Sequence, residues 1–282
     1  MELHQLEVQL GGGSLLQIAN RTQTQMMSYL ITAPSGEVIM IDGGNYCAGD
    51  ADHLYEELKK RGGHVRAWFF THAHNDHNGA LTWMLEKYET FDLQIDAVYM
   101  DYPAPEYLER KEDAWFNKRF LEELDRNKLN VVRTHAGDLI TVGGMAVEVL
   151  NDAIVREDLD DLNQTGIVLL AHFPQRDILF LGDFHEYVEK ELLEQCGPDK
   201  LRKDIVQMAH HGQNGVSRAF YELIRPKICL FDAPLWLWEN YLPEADPVKG
   251  SGPFKTLEVR SWMEAQQVET YCVHAFGDHL LF

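Results

Sequence analysis

The stretch Thr71-His72-Ala73-His74-Asn75-Asp76-His77-Asn78-Gly79 follows directly on an apolar run, Ala67-Trp68-Phe69-Phe70. Three histidines and one aspartate fall within six positions. His72 and His74 alternate along an extended segment, so both can point to one side. Asp76 and His77 lie just past it, where the chain turns. Imidazole and carboxylate suit Zn, Mn and Fe ions, and ligands packed this tightly can serve two ions at once. Two ions about 3.5–4 Å apart clamp an in-line displacement and lower the pKa of a bridging water, so that hydroxide is available near neutral pH. Such a centre needs more ligands than one cluster supplies.

The rest of the chain offers them in a matching setting. Residues 28–44 read as two apolar strands around a Pro/Gly turn, ending in Asp42-Gly43-Gly44. Residues 167–183 read the same way and end in Gly182-Asp183. After Asp42 come a helical pattern, Ala51 to Arg61, and the strand into Thr71-His72. After Asp183 come a helical pattern, His185 to Gln195, and Ile205-Val206-Gln207-Met208 leading to Ala209-His210-His211-Gly212. Each half is strand–turn–strand–helix–strand–histidine. A duplicated unit places both histidine clusters at equivalent strand ends, where ligands of α/β sheets gather. Asp183 and the His210-His211 pair are therefore the natural complement of the first cluster, and Gly182 leaves room for close approach.

One unit spanning residues 1–282 is expected, with halves of about 1–150 and 151–282. Two segments interrupt the repeat and are candidate lids: a charged, helix-like stretch over 102–130, and a loop rich in Pro, Gly and aromatics over 233–255. In that loop Trp236, Trp238 and Tyr241 could wall a pocket or hold a quaternary ammonium by cation–π attraction. The alternative is that they anchor the loop on the core. The stretch Val268 to Phe282 reads as a closing hairpin, with His274 and His279 as structural or exposed residues.

Composition narrows the function. Hydrophobic residues are 45% and charged residues 25%, ordinary for a globular protein. No apolar run reaches the roughly 20 residues of a membrane span. The first residues, Met1-Glu2-Leu3-His4-Gln5, lack a basic start with an apolar stretch behind it. Cys47, Cys196, Cys229 and Cys272 are far apart and form no CxxC. Reduced thiols in a cytoplasmic protein are expected. With 25 basic and 45 acidic residues the net charge is −20. Binding of long nucleic acid draws on Lys and Arg, so a small-molecule substrate suits this chain better, with no membrane contact.

The HxHxDH cluster after a strand, the upstream Ile-Asp-Gly-Gly, the later Leu-Gly-Asp and the His-His-Gly resemble the metallo-β-lactamase superfamily, in its order, from about Ser28 to about Pro226. The resemblance implies an α/β fold, an αββα sandwich built from two similar halves, with a dinuclear site at one edge. It implies that His72 and His74 bind the first of two divalent ions, expected to be Zn, with Mn and Fe as alternatives. Asp76 and His77 would bind the second, Asp183 would bridge, and His211 would complete the second ion's ligands. His211 is taken over His210 because related motifs place the ligand two positions before a small polar residue, a place filled here by Gln213. Asp42 would orient a ligand histidine.

Many members carry a further histidine in a His-Thr-Pro-Gly segment. Here the corresponding segment is Leu162-Asn163-Gln164-Thr165-Gly166. That departure is similar to the branch containing the hydrolase domains of DNA-uptake competence proteins and bacterial phosphorylcholine esterases, which act on phosphodiesters. His135, His172 and His185 are the spare histidines; His185 is expected near the site and His172 in a surface turn. Zinc β-lactamases often use a cysteine ligand, and none of the four cysteines matches.

The leading expectation is a metal-dependent hydrolase of a phosphodiester in a small or medium substrate, with a metal-bridged hydroxide as nucleophile. Asp76, His210 and His185 are its candidate catalytic residues. His210 or His185 would bind a phosphoryl oxygen or protonate the leaving group. The alternatives are a lactonase or thioesterase using the same site, and a binding protein with a vestigial site.

Overall fold

A computed structural model describes residues 3–159, 161–245, 247–273 and 277–282. Its strands are β1 (Leu3–Leu6), β2 (Ser14–Gln17), β3 (Ser28–Thr32), β4 (Val38–Asp42), β5 (His64–Phe69), β6 (Gln94–Ile95), β7 (Val98–Met100), β8 (Val131–Arg133), β9 (Leu139–Val142), β10 (Met145–Val149), β11 (Leu169–His172), β12 (Asp177–Phe180), β13 (Ile205–Gln207), β14 (Ile228–Phe231), β15 (Glu269–Cys272) and β16 (Asp278–Leu281). The helices are α1 (Ala48–Lys60), α2 (Asn75–Lys87), α3 (Pro105–Leu108), α4 (Ala114–Arg126), α5 (Glu189–Cys196), α6 (Pro198–Leu201), α7 (Arg218–Ile224), α8 (Leu235–Trp238) and α9 (Thr256–Ala265).

Two sheets form, in the orders β1-β16-β2-β3-β4-β5-β7-β8 and β15-β14-β13-β12-β11-β10-β9, with β6 against β5. The expected repeat is visible in their ladders. In the first sheet β2, β3 and β4 run antiparallel, and β5, β7 and β8 then add in parallel. In the second sheet β10, β11 and β12 run antiparallel, and β13, β14 and β15 add in parallel.

Side-chain alternation assembles four layers. Ile39 and Ile41 of β4 meet Ile178 and Phe180 of β12 in the core between the sheets. Val38 and Met40 face outward onto Leu54 of α1 and Leu81 of α2. Leu179 faces outward onto Leu192 of α5 and Tyr221 of α7. Strands buried on both faces read as unbroken apolar runs because helices cover the outer faces. Each such side chain contributes about 1.5–3 kcal/mol, so the helix layers are part of the fold's stability. No helix among the described residues is long and apolar enough to cross a membrane.

Three expectations need adjustment. The stretch from Val268 is not a hairpin. β15 extends the second sheet beside β14, whereas β16 returns to the first sheet, parallel to β1 and antiparallel to β2. Alternating apolar residues show that a strand has a buried face, not which sheet it joins. His274 lies outside the described residues, and His279 is buried with its Nδ1 3.0 Å from Gln17 Oε1. The 233–255 segment contains α8, and Asn240 folds the stretch after it, its Oδ1 accepting from Phe254 N at 3.1 Å. The second sheet also draws β9 and β10 from residues ahead of 150. The helix-like stretch 102–130 forms α3 and α4, and the pattern after His185 forms a 3₁₀ turn over Glu186–Val188 followed by α5.

Gly79 shows why the histidine cluster ends as it does. The first turn of α2 lies against the Gly43–Tyr46 loop, with Gly43 N donating to His77 O at 2.6 Å and Ala80 N to Gly44 O at 3.0 Å. A Cβ on Gly79 would stand 2.1 Å from Tyr46 N, a backbone atom that cannot step aside. Gly79→Ala should therefore destabilise the protein by about 3 kcal/mol or more. Urea denaturation followed by circular dichroism measures this; a midpoint equal to that of the parent chain would refute it.

Candidate metal centre

The candidate residues converge at one end of the sandwich, past the carboxyl ends of β4, β5, β12 and β13. Asp42 closes β4 in the left-handed region, at φ 53°. Its buried carboxylate accepts from Thr71 N (2.8 Å), Thr71 Oγ1 (2.8 Å) and His77 Nδ1 (2.6 Å). His77 is thereby held with Nδ1–H toward Asp42, so that Nε2 is the ring nitrogen turned toward Asp183 and able to meet a metal ion. Burial pushes the Asp42 carboxyl up, against the pull of His77.

β5 ends at Phe69, and Thr71–His74 form an extended bend. α2 then begins with His74 as its N-cap, so Asp76 and His77 lie in its first turn. The acidic side chain at that position suits the positive end of the helix. His72 Nε2 and His74 Nδ1 stand 2.9 Å apart. Tyr102 Oη donates to His72 O at 2.6 Å, and Asn78 Nδ2 donates to Tyr102 Oη at 3.1 Å.

The second half delivers Asp183 just past β12, with a side chain only 2% exposed. Its Oδ1 is 3.3 Å from His77 Nε2. Its Oδ2 is 3.3 Å from His211 Nε2, 3.8 Å from His210 Nε2 and 3.9 Å from His72 Nε2. His211 Nε2 is also 3.2 Å from Asp76 Oδ2. Both His210 (φ 50°) and His211 (φ 56°) take left-handed backbone conformations, uncommon for residues with a Cβ and typical of strained functional turns. Gly212 follows at φ 82°, where a Cβ would stand 2.1 Å from the Phe231 ring.

Three sets of donors arise among the described residues: His72, His74 and Asp183; Asp76, His77, Asp183 and His211; and, closer to the surface, His74, Glu112 and Asp161. Within each set the ligand atoms lie within 4.8 Å of one another, and Asp183 belongs to the first two. Metal ions fit this arrangement on one further ground. His77 Nε2, Asp183 Oδ1 and both ring nitrogens of His211 are buried without a hydrogen-bond partner among the described residues. Buried polar atoms are ordinarily satisfied, so donors converging in this way suit a cation.

Electrostatics point the same way. Burial would lower His77 and His211, yet the surrounding carboxylates, Asp183 foremost, push His77 well above the usual histidine range and His211 up to about 10. Burial would raise Asp76 and Asp183, but the neighbouring histidines hold both well below the usual carboxylate range. His72 is driven down by burial and then by His77 and His74. Three buried carboxylates here call for positive charge, which protons supply in the metal-free chain.

His210 belongs to none of these donor sets. Its side chain is 20% exposed at the mouth, and burial lowers it. His185 stacks on Tyr187 at 4.3 Å, with its ring centroid 6.0 Å from that of His210. The other spare histidines lie apart from the site: His172 sits between Asp177 and Glu148 (3.0 Å each), and His135 pairs with Asp152 at the surface. The four cysteines are free and none joins a donor set.

Two contributors, Glu112 and Gln25, carry no local sequence signal. Glu112, 38 positions from His74, accepts from His74 Nε2 at 3.1 Å. Gln25 Nε2 donates to Asp76 Oδ2 at 3.3 Å, and Gln213 Nε2 donates to Gln25 Oε1 at 3.2 Å. Asn163 is buried, and its Oδ1 has no hydrogen-bond partner among the described residues.

The aromatic loop divides between its two readings. Trp238 is buried against Phe231, with Arg260 3.7 Å over its ring. Trp236 lines a mainly apolar cavity of about 510 Å³ with Phe254, Leu242, Pro243 and Gln23.

A family model described as "Metallo-beta-lactamase superfamily" matches residues 21–246. The chain is similar in structure to unliganded yeast PDE1, with TM-score 0.56 and 12% identity over 96% of this chain and 99% of that one. It is similar to the metallo-beta-lactamase fold protein YhfI from Bacillus subtilis, with TM-score 0.54 and 11% identity over 92% and 96%. It is also similar to CmlA, a diiron β-hydroxylase from Streptomyces venezuelae, with TM-score 0.55 and 13% identity over 92% of this chain and 52% of that one. The chain thus spans about half the length of CmlA. At these identities the likeness speaks to the fold. No curated protein matches the chain.

Asp42→Ala should lower metal affinity about 10- to 100-fold, because it frees the His77 ring to turn and to shift its proton. Metal titration by calorimetry against the parent chain provides the measurement, with His135→Ala as the unaffected comparison.

Proposed function

The chain belongs to the metallo-beta-lactamase superfamily, and from that premise we propose a hydrolase with a dinuclear centre that cleaves a phosphodiester in a small or medium-sized substrate. The observation carrying this reading is the pair of donor sets that share Asp183 while His210 remains outside both. His72 and His74 would hold the first ion, and Asp76, His77 and His211 the second, with Asp183 common to the two. Zinc suits these donors, and Mn and Fe are also compatible. When bound, two such ions supply Lewis-acid charge stabilisation and a water acidic enough to ionise near neutral pH.

The remaining chemistry falls to the chain itself. His210, at the mouth with Nε2 3.8 Å from Asp183 Oδ2, is placed to donate a hydrogen bond to a phosphoryl oxygen or to pass a proton to the leaving oxygen. His185 accepts from Glu186 N through Nδ1 at 3.1 Å, which leaves its Nε2 as the outward donor. Asp76 would act as a metal ligand whose orientation Gln25 secures. Branch membership near the competence-protein hydrolase domains and phosphorylcholine esterases rests on Asn163 standing in place of a histidine. The absence of cysteine from the donor sets speaks against β-lactams, and the net charge of −20 speaks against long nucleic acid.

One observation favours a second reading, a lactonase or thioesterase with the same centre. Gln23, on the wall of the Trp236–Phe254 cavity, is two residues from Gln25, which touches Asp76. An acyl chain could lie there.

Metal-loaded protein should turn over bis-p-nitrophenyl phosphate, and chelation should abolish that turnover. His210→Ala should lower kcat by about 10²- to 10⁴-fold with both ions retained. Hydrolysis of acyl-lactones or thioesters at far higher kcat/KM than the diester would replace the leading reading with the second.

A further inference from the structure

One carboxylate outside the two donor sets that share Asp183, grouped instead with His74 and Asp161, joins three segments far apart in the chain. Glu112 lies between α3 and α4, on the stretch that interrupts the repeat. Its Oε1 accepts from His74 Nε2 at 3.1 Å and from the backbone N–H of Leu162 at 3.3 Å. The next residue, Asp113, takes a left-handed conformation at φ 53° as the N-cap of α4. Its Oδ2 accepts from Asn75 N at 3.4 Å and from Asn75 Nδ2 at 3.2 Å. Consecutive acids thus grip consecutive residues of the histidine motif. Glu112 also reaches the 3₁₀ turn Leu162–Thr165, which carries Asn163.

Resting on the two-ion reading above, we infer that Glu112 is the positioning residue of the first metal position and ties its retention to the inserted helices. By accepting the proton on His74 Nε2, Glu112 selects the tautomer whose Nδ1 lone pair faces His72 Nε2. Asp42 does the same for His77, with the ring nitrogens reversed. The two devices differ in setting. Asp42 is fully buried, whereas the Glu112 side chain is 52% exposed. The first position also has three side-chain donors against four for the second. With fewer ligands, and an orienting bond open to solvent, the first ion is the weaker one and the one governed by the insertion.

The test uses the full metal-free chain titrated with Co(II), followed by visible absorption and calorimetry. The parent chain should take up two ions of unequal affinity, the weaker being the one lost in His74→Ala. Glu112→Ala should weaken that ion about 10- to 100-fold and leave the tighter one unchanged, which also shows that the variant is folded. Glu112→Gln, whose amide oxygen can still accept from Nε2–H, should restore most of the loss. Two ions bound by Glu112→Ala with parental affinities, an equal loss at both positions, or a Gln variant as impaired as the Ala variant would each overturn the inference alone. Uptake of a single ion by the parent chain would overturn the two-ion reading as well.

Discussion

Everything at the mouth of this sandwich is arranged around a carboxylate held out of water. Asp183 is 2% exposed and has the ring nitrogens of four histidines within 3.9 Å. Burying a charge is costly unless it is compensated nearby. Compensation here comes from both halves: His72 and His77 after β5, and His210 and His211 after β13. Neither half satisfies the charge alone, so the geometry of the site depends on the packing between the sheets. The strained backbone at Asp42, His210 and His211 fits this view. Residues are held in such conformations only where their surroundings over-determine them, and the core between the sheets supplies that constraint.

The duplicated architecture explains the position of the site and also its asymmetry. Equivalent hairpins followed by parallel strands bring two histidine-bearing loops to equivalent strand ends. The halves differ in how they present their histidines. The first follows its histidines with a helix of 13 residues, so Asp76 and His77 are presented from a regular first turn. The second presents His210 and His211 from a tight left-handed turn closed by Gly212. One loop supplies several donors in a row; the other supplies one inward histidine and one that faces the mouth.

Much of this was legible in the sequence because it rests on local rules. The unbroken apolar runs of β3, β4, β11 and β12, the spacing of His72 to His77, and the aspartates closing β4 and β12 all follow from period and residue type. What escaped is long-range. Glu112 meets His74 across 38 positions, from a helix-like segment whose periodicity shows only that it packs. Gln25 is an ordinary loop glutamine until folding sets it beside Asp76. The pairing of β16 with β1 and β2 was read as a hairpin because an alternating strand has the same pattern whichever ladder it joins. Of the two tryptophans in α8, only the fold distinguishes the core anchor from the cavity wall.

The return of β16 to the first sheet has a kinetic consequence. Strands β2 and β3 are contiguous early elements, yet β2 gains its second neighbour only from residues 278–281, and Phe282 O accepts from Val8 N and Gln9 N at 3.0 and 2.9 Å. Closing so long a loop carries an entropic cost before any contact rewards it. During synthesis β2 therefore keeps an open edge until residues 278–281 have emerged. An unpaired edge of this kind is a template for mispairing. Closure of that edge falls to the four residues of β16, which pair with both β1 and β2.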